Sequence, residues 1–208
     1  MEQSLPIQRR GSRWQRQPSL VSLAATNWGV LRRPIRFWSD VRIHEPRVAL
    51  LLGINLAIAA LLPTLALLVS MCGPIRHLNV RYLGSFFLGC VALMAFLTFI
   101  EFAGLSFFAR QRGWRVPRDS SFVIVSHASV GWIISGLAVG LVWVTWTLID
   151  FYNPALLATR LGSLGVLGDL LAPGIGLAFV SGMIVFSLLA GAGWRALRFA
   201  NRLAPGEV

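Results

Sequence analysis

Four long apolar stretches, separated by segments alternately rich and poor in arginine, limit what this chain can fold into. They run over residues 48–72, 83–109, 122–149 and 171–193. Each exceeds the ~20 residues that cross a ~30 Å hydrocarbon layer at ~1.5 Å per residue. In hydrocarbon every backbone polar group must be satisfied internally, and a helix does this within one segment. The expected fold class is therefore all-α: an integral membrane bundle of four transmembrane helices.

The arginines set the expected orientation. All nineteen basic residues are Arg. Nine precede the first stretch, two lie in the first loop, four in the second, one in the third and three in the tail. Cytoplasmic loops carry the excess of basic residues. With both termini cytoplasmic, sixteen arginines fall inside and three outside. An odd number of spans would move the basic tail outside and fit worse. The same placement accounts for the net charge of +11. Arginines flanking spans attract anionic headgroups at ~1 kcal/mol each, so the expected partner is the lipid bilayer and not nucleic acid.

Residues 1–47 read as a basic cytoplasmic arm, largely without fixed structure up to residue 26. Beyond it Trp28, Leu31, Ile35, Trp38 and Val41 recur at three- and four-residue steps, with Arg32, Arg33, Arg36 and Arg42 mostly between them. That spacing predicts a short amphipathic helix lying in the membrane interface, its better-formed half starting at Pro34. Trp28, Arg32, Arg33, Arg36, Trp38, Arg110, Arg112 and Arg115 are the expected surface anchors. Residues 48–193 form the membrane domain and 194–208 a basic cytoplasmic tail. No cleavable leader is expected, since the first 47 residues hold no apolar core of sufficient length. The expected location is a bacterial cytoplasmic membrane.

Several finer features follow. Pro63 predicts a kink in the first span. Asp119 or Ser120 is placed to cap the third. Residues 155–170 carry leucines at helical spacing, interrupted by Arg160, Ser163 and Asp169. They read as an amphipathic helix on the outer surface or a re-entrant turn; a fifth span is the alternative. Small residues at four-residue steps, Gly131 with Ser135, Gly136 with Gly140, Ala172 with Gly176 and Ala178 with Gly182, allow close helix approach. They serve internal packing or self-association.

Ionisable groups inside spans are costly and mark candidate sites. Glu101 is expected ~12 Å from the inner end of the second span and His127 ~8 Å into the third; Asn55 lies ~10 Å into the first. These depths predict one polar cluster, Glu101 hydrogen-bonded to His127 with Asn55 completing it. It would act as a structural clamp or as a site handling protons, a solute or a lipid headgroup; a third reading has Glu101 reaching to the inner interface. No haem or other cofactor is expected, and no metal, because a zinc site needs at least three good ligands. Cys72 and Cys90 are not spaced as a redox pair. No nucleophile–base arrangement or nucleotide fingerprint is present, so no catalytic residue is assigned and no enzyme is expected.

The run Arg110-Gln111-Arg112-Gly113-Trp114-Arg115-Val116-Pro117, followed by Ser126-His127-Ala128-Ser129-Val130-Gly131-Trp132, resembles bacterial membrane proteins of the Yip1-like group. That family usually has five spans. The resemblance implies a non-enzymatic, membrane-organising role and no particular site residue. The expected function is thus to bind or organise other membrane proteins or lipid, as a subunit or accessory factor. The alternative is a small transporter, or transporter subunit, using Glu101 and His127.

Overall fold

The computed structural model describes residues 11–43, 46–71, 80–111, 118–152 and 165–197. These form α1 (Arg13–Arg16), α2 (Leu20–Arg32), α3 (Pro34–Asp40), α4 (Arg47–Met71), α5 (Val80–Gln111), α6 (Arg118–Ala128), α7 (Val130–Tyr152) and α8 (Gly165–Leu197). The described residues hold no strand. Among the described residues, four segments are long and apolar enough to cross a membrane: Arg47–Ser70, Arg81–Leu105, Asp119–Ile149 and Leu171–Leu197.

Local chemistry explains the element ends. Ser12 caps α1 and Ser19 caps α2, each in a reciprocal capping box, with Gln15 and Ser22 respectively. Each box satisfies two backbone N–H groups that a helix start leaves unpaired. Arg33 separates α2 from α3 at φ −144°, ψ 64°. The ring of Pro34 disfavours helical geometry at the residue before it and suits the first position of the next helix. α6 and α7 are divided only by a turn at Ser129, so they count as one span.

Three expectations are corrected here. Residues 12–26, read as lacking fixed structure, form α1 and most of α2 because the two capping boxes start helices there. The single amphipathic helix expected within residues 27–47 is two helices, and the break at Arg33 divides its apolar face. Trp38 and Val41 are buried while Trp28 and Ile35 are exposed. Asp169 is not in a separate surface segment: α8 starts at Gly165 and continues into the fourth span. Residues 155–164 of that segment lie outside the described residues. α6 begins at Arg118, so Asp119 occupies its first turn, where a carboxylate favours the positive helix end. α4 and α8 continue through Pro63 and Pro173.

The chain divides into two units. One comprises residues 1–52, 100–130 and 187–208; the other comprises 53–99 and 131–186. The first is organised around α6, which is buried from Ser120 to Ala128 except at Phe122. Trp38 lies against Gly193 and Ile124, and a β-carbon at Gly193 would stand 2.7 Å from the indole Cε2. Only a residue without a side chain lets α8 approach this ring so closely.

The second unit is held by small residues. A β-carbon at Gly131 would lie 2.6 Å from the backbone nitrogen of Phe186. Gly136 faces the Ala59 carbonyl, Gly140 faces Leu62, and Gly182 faces Ser135. Ser135 also donates to the Phe179 carbonyl at 3.2 Å. Trp132 stacks on Phe186, with centroids 5.1 Å apart, and donates to Thr98 Oγ1 at 2.9 Å. Trp143 donates to Ser70 Oγ at 3.3 Å. With no hydrophobic drive between helices in lipid, such close backbone approach and cross-helix hydrogen bonds carry association.

Candidate functional site: the folded basic segment

The segment before the first span is fastened by buried side chains. Gly11 adopts φ +83°, a left-handed conformation suited to glycine, and donates its N–H to the Asp40 carbonyl at 2.7 Å. This turn brings Ser12 to the start of α1. Gln15 is 1% exposed. Its Nε2 donates to the Arg42 carbonyl at 2.8 Å, while its Oε1 accepts from the Arg42 and Ser12 N–H groups at 3.1 and 2.9 Å. One carboxamide thus reads both backbone groups of Arg42, as a neighbouring strand would.

Trp14 ties the segment to the first span. Its backbone N–H donates to Thr26 Oγ1 at 3.0 Å and its indole N–H to the Arg47 carbonyl at 2.9 Å. Arg47, the first residue of α4, returns its guanidinium to the carbonyls of Gln15 and Arg16 at 3.0 and 3.2 Å. A cation on the last carbonyls of a helix complements its negative end.

His127 ties it to α6. The imidazole is fully buried and packs 5.4 Å from the Phe37 ring and 5.7 Å from that of Trp38, centroid to centroid. The Val123 carbonyl, 3.0 Å from Nδ1, can only accept, so Nδ1 carries the proton. Nε2 then accepts from Ser12 Oγ at 3.4 Å. That hydroxyl also accepts from the Gln15 N–H at 3.2 Å. The indole nitrogen of Trp38 and the hydroxyls of Ser120 and Ser121 are buried without a hydrogen-bond partner among the described residues.

The expected Glu101–His127–Asn55 cluster is not how His127 is used. Both ring nitrogens are engaged by Val123 and Ser12, which leaves none for Glu101. Glu101 is half-buried on α5, in the same unit as His127. Asn55 is fully buried in the other unit. Of the expected anchors, Arg32, Arg33 and Arg36 are exposed. Trp28 is 63% exposed. Trp38 is corrected: its ring is consumed by contacts with His127, Ile124 and Gly193 and is not available to lipid. Arg112, Arg115 and the side chain of Arg110 lie outside the described residues. Among the small-residue positions, Gly131, Ser135, Gly136, Gly140, Ala178 and Gly182 are all buried. Gly176 has open space around it.

Sequence reasoning passed over Ser12, Trp14, Gln15 and Thr26. The readable signal was Ser12 followed three residues later by Gln15, the pattern of a capping box. What remains outward is chemically consistent. Arg13, Arg16, Arg32, Arg33, Arg36, Arg42 and Arg47 are exposed. Beside them stand Leu20, Val21, Trp28 and Ile35, each more than 60% exposed. Among the described residues no group of three or more His, Cys, Asp or Glu is placed to hold a metal ion. Comparison with known proteins gives no match to a family model, a curated protein or a solved structure.

Proposed function

We propose that this chain is a non-enzymatic, multi-pass membrane protein that binds or organises lipid or other membrane proteins, as an accessory factor or subunit. One observation carries this reading. The arginine-rich segment is a folded platform, pinned by Trp14, Gln15, Arg47 and His127, that turns its arginines and four large apolar side chains outward. Basic residues beside exposed apolar ones match an anionic lipid surface, where headgroups meet hydrocarbon.

Both termini are assigned to the cytoplasmic side of a bacterial inner membrane. Two facts support this. The arginine asymmetry favours it. In addition, one unit collects the start of α4, the end of α5, the start of α6 and the end of α8. Four spans alternating in direction would have those ends on one side, which supports the assignment. The resemblance to Yip1-like proteins carries the same membrane-organising reading. Transport by Glu101 and His127 is less well supported, because His127 spends both nitrogens elsewhere.

Hydrogen exchange of the whole protein tests the proposal, in nanodiscs of phosphatidylcholine with and without phosphatidylglycerol. Exchange over residues 11–43 should slow when the anionic lipid is present. Equal exchange in both discs would overturn the reading. Proton flux in proteoliposomes that is lost in Glu101→Gln would turn it to transport.

A further inference from the structure

Between α1 and the start of α2 lies a cavity of about 440 Å³ lined by Arg13, Arg16, Gln17, Ser19, Val21 and Ser22. The lining includes two arginines and no acidic residue. The same arginines border a smaller cavity of about 190 Å³ that contains Asp40, so an anion would enter the larger one. Both arginines are exposed and project from a turn whose own carbonyls are occupied by Arg47. Guanidinium groups suit phosphate oxygens, which they meet in fork geometry.

Two further features separate a lipid phosphate from a free one. Leu20 and Val21, beside the cavity, are 84% and 77% exposed. Side chains so apolar and so exposed fit acyl chains and not water. Arg47, the first residue of the first span, is hydrogen-bonded to the Gln15 and Arg16 carbonyls. The arginines are thereby held where a span meets the aqueous phase, the depth of the headgroups.

We propose that this cavity holds the phosphate of an anionic phospholipid, with Arg13 and Arg16 as its cationic ligands and Leu20 and Val21 in contact with the acyl region. The site rests on the lipid-binding reading above and narrows it to one place.

Native mass spectrometry of the full chain, released from nanodiscs of phosphatidylcholine and phosphatidylglycerol, counts the lipids retained. The wild type should keep phosphatidylglycerol preferentially. Arg13→Gln and Arg16→Gln should each lower that preference by roughly fivefold, and the uncharged substitution Gly53→Ala on α4, which meets nothing within 4 Å, should leave it unchanged. Excess inorganic phosphate should not displace the lipid. Should an arginine variant melt early, Val21→Asp keeps both arginines and sets a negative charge at the rim; it too should lose the preference. Retention of the lipid by all three cavity variants would overturn the site while leaving the broader reading intact. Displacement by phosphate would overturn the assignment to lipid. No preference in the wild type would remove both.

Discussion

Gly136 on α7 lies directly against the carbonyl oxygen of Ala59 on α4. In a helix that carbonyl accepts from the N–H four residues on, and here that residue is Pro63, which has none. The proline leaves an oxygen without its usual donor. The glycine opposite lets the neighbouring backbone come close enough for its Cα–H to face that oxygen, a weak but recurrent helix–helix contact. The two residues solve one problem from opposite helices.

Even a methyl group at Gly136 overlaps Ala59. Gly136→Ala is expected to destabilise the protein by about 1–3 kcal/mol. Gly53→Ala on α4 meets nothing within 4 Å and should change stability by less than about 0.5 kcal/mol. Thermal unfolding in detergent compares the two. Equal melting temperatures would contradict the tight approach.

Gln15→Leu keeps bulk and removes the carboxamide. The backbone N–H and carbonyl of Arg42 and the N–H of Ser12 then lose their partner, and a buried polar group left unmade costs about 1–3 kcal/mol. Limited proteolysis should cut within residues 11–43 faster than in the wild type. A wild-type cleavage rate would show that the clamp contributes nothing.

The Trp132–Thr98 bond is open to a double-mutant cycle. Trp132→Phe retains ring packing on Phe186 and Phe179, and Thr98→Val retains shape. The coupling should be about 0.6–1.7 kcal/mol, the range of hydrogen bonds between membrane helices. Additive effects would mean the bond is not made.

His127 and Glu101 should respond differently. His127→Ala removes a fully buried ring that packs on Phe37 and Trp38, and should cost about 2–4 kcal/mol. Glu101→Gln changes a half-buried group that has no bond to His127 and should stay within about 0.5 kcal/mol. Melting temperatures of the two variants decide this. A larger loss in Glu101→Gln would restore the carboxylate as a clamp.

The spans were legible because hydrocarbon demands long, uninterrupted apolar helices, and Arg47–Ser70 and Arg81–Leu105 fall close to the stretches read from hydropathy. The small residues Gly131, Gly136 and Gly182 were legible for a related reason: close approach needs a missing side chain. The basic segment was not. Periodicity placed Trp28 and Trp38 on one face, and only the break imposed by Pro34 at Arg33 sends one outward and the other inward. The partner of His127 was illegible for another reason. Depth in a span limits which neighbouring spans a side chain can meet, but it carries no information about Ser12, which lies outside every span.

The hydrogen bond between Ser12 and His127 joins residues 115 positions apart. At about 5–20 residues per second of synthesis, Ser12 emerges roughly ten seconds before its partner. During that interval the chain makes the helices of two spans, while Trp38 still lacks Ile124, His127 and Gly193, the residues it packs against. A segment made before all four candidate spans is therefore completed only after two of them. Its docking onto α6 would report that the third span has arrived.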